Sequence, residues 1–169
     1  MGSTPQMKIL VTGGAGFIGS NFVCYALDEG HHVINIDALT YAGNLDNLGA
    51  HRTHKNHAFY KENICHGKEI EALILKHHPE VIIHMAAESH VDRSIDCADA
   101  FIQTNVVGTQ KLLDATLTYY KGMPQKEKFR FIHLSTDEVF GALGPAGKFN
   151  ESIHVRLSSH MNDDLRVML

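Results

Sequence analysis

Apolar positions along the chain fall into short continuous runs that alternate with stretches of helical spacing. Lys8-Ile9-Leu10-Val11-Thr12 is an apolar run ended by glycines, the pattern of a strand buried on both faces. From Phe17 to Asp28, Ile18, Phe22, Val23, Ala26 and Leu27 recur at helical spacing, and Gly30 follows as a stop signal. His32 to Asp37 reads as a second buried strand and Ala58 to Lys61 as a short third one. Ile70, Leu73, Ile74 and His77 mark one face of a helix that Pro79 closes. Val81 to Met85 is the next strand, a long helix runs from Cys97 to Tyr119, and Phe129 to Ser135 is a further strand. Strands alternating with helices predict an α/β fold, a doubly wound parallel sheet of Rossmann-like type. The sheet is expected to be truncated at its C-terminal side. Ala142 to Gly147 reads as loop, and residues 151–169 show neither period.

Composition fits one soluble globular domain: 169 residues, 44% hydrophobic and 20% charged. The 15 basic and 19 acidic residues leave a net charge of −4, which provides no basic field for nucleic acid or an anionic membrane. No apolar run approaches the roughly 20 residues of a bilayer span. The start, Met1 to Gln6, lacks the apolar core of a secretory signal, and Gln6 stands where myristoylation needs Ser or Thr. Cys24, Cys65 and Cys97 have neither disulfide-framework nor metal spacing, so a reduced, cytoplasmic protein is expected. The 13 histidines include no metal motif, and no metal is expected. Of these, His84 and His133 lie within strands and read as packed and hydrogen-bonded.

Candidate chemistry begins at Thr12-Gly13-Gly14-Ala15-Gly16-Phe17-Ile18-Gly19, between the first strand and the first helix. Gly13 permits a tight turn, Gly16 lets backbone approach a diphosphate, and Gly19 lets the helix pack against the sheet. The helix start offers free N–H groups and a partial positive charge. Asp37 ends the second strand 18 residues after Gly19, close to the separation of roughly 20 expected for a carboxylate on ribose hydroxyls. This order points to dinucleotide binding, with NAD favoured over NADP because a carboxylate repels a 2′-phosphate. The alternative is that Asp37 caps a loop.

The T-G-x-x-G-x-x-G spacing resembles the extended short-chain dehydrogenase/reductases. Three further stretches are similar to the dTDP-glucose 4,6-dehydratases among them: Asp37 to Leu45, His84 to Ser94, and Ser135 to Gly141. The resemblance runs from about Met7 to Glu151, roughly the N-terminal half of a family member. It implies NAD as cofactor, with Phe17 and Ile18 lining the diphosphate turn and Asp37 and Thr40 on the adenosine half. Ala86, Ala87 and Thr104 would flank the cofactor, Asn105 would support the site and Ser89 would contact substrate. Asn63 and Ile64 stand where the family usually has Asp-Ile against the adenine. The implied reaction is dehydration of dTDP-glucose to dTDP-4-keto-6-deoxyglucose, in which hydride passes from C4 to NAD, water leaves across C5 and C6, and hydride returns to C6. The resemblance makes Asp137 the acid for the C6 hydroxyl, Glu138 the base for the C5 proton, and Thr136 a hydrogen-bond partner of the C4 oxygen. Two adjacent acids can serve both roles if their surroundings differ. An epimerase would not need this pair. Related enzymes dimerise along the long helix, so a homodimer is one use for its Ile102, Val106, Leu113 and Leu117 stripe; packing of that stripe on the sheet is the expectation.

The chain departs from the family after Glu151. The family's Tyr-x-x-x-Lys pair, in which the lysine lowers the tyrosine pKa, falls on Met161 and Leu165, and neither transfers protons. The division expected is therefore an incomplete NAD-binding Rossmann domain over 1–150 and an atypical tail over 151–169, with the sugar-nucleotide-binding domain absent. A truncated or misread frame would produce this. Three readings stand: a dehydratase inactive as this chain alone, a catalytically dead NAD-binding fragment or partner subunit, and a nucleotide-sugar epimerase.

Overall fold

Five parallel strands, β1 (Lys8–Thr12), β2 (His32–Asp37), β3 (His57–Lys61), β4 (Val81–His84) and β5 (Arg130–His133), form one sheet in the order β3-β2-β1-β4-β5. A computed structural model describes residues 5–89, 98–136 and 148. Asp137, Glu138, His90, Met161, Leu165 and the proposed division at residue 150 lie outside the described residues. Central β1 pairs with β2 on one side, Lys8 opposite His32, and with β4 on the other, Ile9 opposite Val81. Its residues Ile9 to Thr12 are all buried, as the apolar run predicts for a strand covered on both faces.

Period-two alternation divides these strands between two cores. On one face, Leu10, Ile34, Ile36 and Ile82 pack against Ile70 and Ile74 of α2 (Gly67–His77). Leu112, Ala115 and Tyr119 of a later helix complete that layer. On the other face, Ile9, Val11, Val33 and Ile83 meet Val23, Ala26 and Leu27 of α1 (Phe17–Asp28). Leu48 joins them from a 3₁₀ segment, Leu45–Thr53, that the hydrophobic pattern does not announce. The chain winds outward from β1 to β3 and then returns to β4 on the far side of β1. That reversal opens a crevice at the C-terminal ends of β1 and β4, where such sheets bind ligands.

The long helix comprises α3 (Ala98–Phe101), a π-helical segment (Ile102–Gly108) and α4 (Thr109–Gly122). Phe101, Gly108 and Thr109 all keep right-handed helical backbone, so the three pieces are continuous. The buried face consists of Phe101, Asn105, Gly108, Leu112, Ala115, Thr116 and Tyr119. The expected packing of Ile102, Val106, Leu113 and Leu117 on the sheet is therefore corrected: these four are exposed, Val106 and Leu117 at 49%. The buried face mixes Phe101, Leu112 and Tyr119 with the small or polar Asn105, Gly108, Ala115 and Thr116, so apolar content alone does not pick it out. Strand ends also shift slightly: β3 starts at His57, β4 stops at His84 and β5 is shorter than its apolar run. Among the described residues, no helix is long and apolar enough to cross a membrane.

Candidate functional site

The glycine-rich turn joins β1 to α1 at the mouth of the crevice. Gly13 has φ +74°, and a Cβ there would sit 2.7 Å from the Ala86 backbone nitrogen. Its own N–H donates to the Ile36 carbonyl at 2.8 Å, tying the turn to β2. At Gly19 a Cβ would overlap the Gly13 carbonyl oxygen, so helix and turn can approach this closely only without a side chain. No side chain caps the start of α1, its first turn carries no acid, and its first amides remain available to an anion.

Asp37, buried at the end of β2, holds the turn as well as facing the cleft. Its Oδ2 accepts the Ala15 N–H at 2.9 Å and its Oδ1 accepts the Leu39 N–H at 2.7 Å. The loop-capping alternative thus describes part of its work. An ionised carboxylate has about four lone-pair sites, which leaves capacity for ribose hydroxyls.

A cleft of about 340 Å³ runs over these ends of the sheet. The turn contributes Gly13, Gly16, Phe17, Ile18 and Gly19, and the β2–β3 side contributes Asp37, Thr40, Asn63 and Ile64. Ala86, Ala87 and Ser89 line it from the segment after β4, and Thr104 from the π-helical segment. Thr136 follows β5 and is not part of that lining. Ile36, Glu62, Met85 and Glu88 also line the cleft and were not picked out in sequence. These four each adjoin a predicted position, whereas Ala42 and Gly43 reach the cleft from the loop after Thr40.

Each side of the cleft is held by hydrogen bonds. Asn63 Oδ1 accepts the Cys65 N–H at 2.9 Å, so its amide is fixed with the oxygen turned to the backbone. Glu62 Oε1 receives the Asn63 N–H at 2.8 Å and His66 Nδ1 at 2.7 Å, and these bonds, the backbone one foremost, hold its carboxyl below the ordinary range. On the β4 side, Asn105 Oδ1 accepts the Glu88 N–H at 2.8 Å while its Nδ2 donates to the Glu88 carbonyl at 2.9 Å. Among the described residues, the charged ones lining the cleft are Asp37, Glu62 and Glu88, all acidic. A diphosphate there would be met by backbone amides of the turn and α1, and a further 2′-phosphate near Asp37 would meet like charge.

The family model described as GDP-mannose 4,6 dehydratase matches residues 10–159. The chain is 53% identical over 145 residues to the dTDP-glucose 4,6-dehydratase of Xanthomonas campestris pv. campestris (strain B100), covering 85% of this chain and 41% of that protein. It resembles the crystal structure of dTDP-glucose 4,6-dehydratase from Bacillus anthracis in complex with NAD, with 42% identity and TM-score 0.75, over 91% of this chain and 45% of that one. A dTDP-glucose 4,6-dehydratase from Streptomyces venezuelae with NAD and TYD bound gives 39% identity and TM-score 0.77, covering 89% of this chain and 45% of that one. The chain thus spans less than half the length of these relatives. With its sheet order, its glycine turn and a match over most of its residues, the chain belongs to the GDP-mannose 4,6 dehydratase family.

Proposed function

We propose that this chain is the NAD-binding half of a dTDP-glucose 4,6-dehydratase, with residues 1–150 as an incomplete Rossmann domain and 151–169 as an atypical tail. The observation that carries this reading is the single cleft in which an uncapped helix start, the glycine turn and Asp37 stand together. They fit a dinucleotide: Gly13, Gly16 and Gly19 keep side chains out of the diphosphate cradle, and the acidic lining favours NAD over NADP. When bound, the dinucleotide supplies the acceptor and donor of a hydride.

The chain's own residues divide the remaining work. Thr40, Asn63 and Ile64 bind the adenosine half beside Asp37; Ala86, Ala87 and Thr104 flank the other half, and Ser89 contacts the sugar nucleotide. Thr136 donates a hydrogen bond to the C4 oxygen, Asp137 delivers a proton to the departing C6 hydroxyl, and Glu138 removes the C5 proton. The acid pair is what an epimerase has no use for. Met161 and Leu165, at the positions of the expected Tyr and Lys, favour a second reading in which the chain binds NAD without turning over. The site of action is the cytoplasm, in keeping with the free thiols of Cys24 and Cys65.

The test incubates the purified chain with NAD and dTDP-glucose, follows 4-keto-6-deoxy product, and titrates NAD by calorimetry. Product supports the dehydratase. NAD binding without product supports the inactive fragment, and absence of NAD binding overturns both.

A further inference from the structure

His84, the last residue of β4, is a polar side chain beside the cleft with no exposed surface. Its Nδ1 lies 2.7 Å from Thr12 Oγ1 and its Nε2 lies 2.9 Å from Thr109 Oγ1. Thr12 Oγ1 also accepts the backbone N–H of Ala86 at 3.3 Å and shares the N–H of Met85, 3.3 Å away, with the Thr12 carbonyl oxygen at 3.1 Å. A hydroxyl has one proton to give. Its backbone partners are both donors, which leaves His84 Nδ1 as the acceptor for the Thr12 hydroxyl proton. The ring is then neutral and protonated on Nε2, which donates to Thr109.

We propose that His84 is a positioning residue for the nicotinamide side of the cleft: it links β1 to α4 and, through Thr12, sets the backbone of Met85 and Ala86. This rests on the dinucleotide reading of the site. Asp37 and the β2–β3 side take the adenosine half, so the other half lies across β1, over the segment after β4. That segment has little freedom, because Gly13 already lies against the Ala86 backbone, and Asn105 grips Glu88 three residues after Met85. Asn105 and Thr109 sit one turn apart on the long helix, so a single helix face holds both ends of the segment. The rings facing His84 are His133 of β5, stacked at 4.7 Å, and Phe131, and no carboxylate lies among its hydrogen-bond partners. Burial foremost, with His133 second, pushes the His84 pKa down to about 4, in keeping with the neutral ring the hydroxyl geometry requires.

The experiment measures affinity of the full chain for NAD and for ADP, the latter probing the adenosine side and turn alone. His84→Leu removes both hydrogen bonds, Thr109→Val removes one, and His84→Asn places an acceptor near the Nδ1 position. The expected result for His84→Leu is an NAD affinity weakened about tenfold with ADP affinity unchanged, a loss of the size carried by one buried hydrogen-bond network. Thr109→Val gives a smaller NAD-specific loss, and His84→Asn recovers most of it. Equal loss for both ligands, or none for NAD, overturns the proposal. A cofactor-independent measurement accompanies it: ring nitrogen chemical shifts of His84 in the free chain report the tautomer. A neutral ring protonated on Nε2 supports the linkage, and the opposite tautomer or a charged ring at neutral pH overturns it. A wild-type chain that binds neither ligand overturns the dinucleotide reading, while the nitrogen shifts still decide the His84 linkage.

Discussion

The carboxylate of Asp37 and the backbone N–H of Ala15 are 2.9 Å apart across the floor of the cleft, with the other carboxylate oxygen on Leu39. One side chain therefore fixes the shape of the glycine turn and also lines the cleft. Asp37→Asn leaves one oxygen for two backbone donors that approach different atoms. One buried N–H then faces an amide nitrogen, a loss of about 1–3 kcal/mol. The expected outcome is a lower urea midpoint and weaker NAD binding together. Unchanged stability would mean that the turn does not depend on this carboxylate.

Gly19 and Gly122 offer a matched contrast. A methyl on Gly19 would overlap the Gly13 carbonyl oxygen, whereas a methyl on Gly122, at the end of α4, meets nothing within 4 Å. Gly19→Ala is expected to destabilise by about 1–3 kcal/mol through forced separation of helix and turn, and to weaken NAD binding with it. Gly122→Ala is expected to be neutral or to stabilise by about 0.4–1 kcal/mol through a less flexible unfolded chain. Thermal unfolding of the two variants checks the difference. Equal Tm values would remove the packing argument for Gly19.

Much of the architecture was legible because a two-sided buried strand leaves a continuous apolar run. Ile9 to Val11 and Val33 to Ile36 need no partner to be recognised, and the glycines of the turn announce a backbone geometry directly. The long helix was misread for the opposite reason. Its buried side sets Asn105, Gly108 and Thr116 among Phe101, Leu112, Ala115 and Tyr119, and a hydrophobicity pattern counts the first three as solvent-facing. Wide π turns also break the regular helical period there. Leu48 was invisible because Leu45, Leu48 and Ala50 are scattered in a short, otherwise polar 3₁₀ segment that carries no sustained period. The cleft residues were found by motif, but their bonding was not: nothing in the spacing says that Asn105 clamps Glu88 or that Thr12 reaches His84 across 72 positions.

Acid is expected to weaken the fold through its histidines. An unfolded His84 takes up a proton near the ordinary value of 6.5, the folded ring only near 4. Between those values the unfolded chain binds more protons, so stability is fullest above this range, declines as pH falls through it, and levels off below it. A shift of this size corresponds to about 3 kcal/mol. Burial pushes His57, His77 and His133 down as well, in the same direction. Urea midpoints across this interval are expected to drop for the wild-type chain and to drop less for His84→Asn, which has no ring to protonate. Parallel curves for the two proteins would assign the acid sensitivity elsewhere.

The exposed stripe on the long helix has a symmetry that bears on assembly. Ile102 and Leu117 lie equally far from the helix midpoint between Thr109 and Gln110, and so do Val106 and Leu113. Two copies related by a two-fold axis through that midpoint, with helices antiparallel, would bring Ile102 against the partner's Leu117 and Val106 against the partner's Leu113. Such a self-matching patch is what an isologous interface requires, and large apolar side chains at 36–49% exposure leave surface to bury. We propose a homodimer through this face. Val106→Glu and Leu113→Glu each place two charges in that contact, one from each copy, where burial without a partner is costly. Both side chains are about half exposed, so the fold is expected to survive. Sedimentation velocity should give a dimer for the wild-type chain and monomers for both variants, with far-UV circular dichroism unchanged. A wild-type chain that sediments as a monomer, or a dimer that both glutamates leave intact, would rule this face out as the interface.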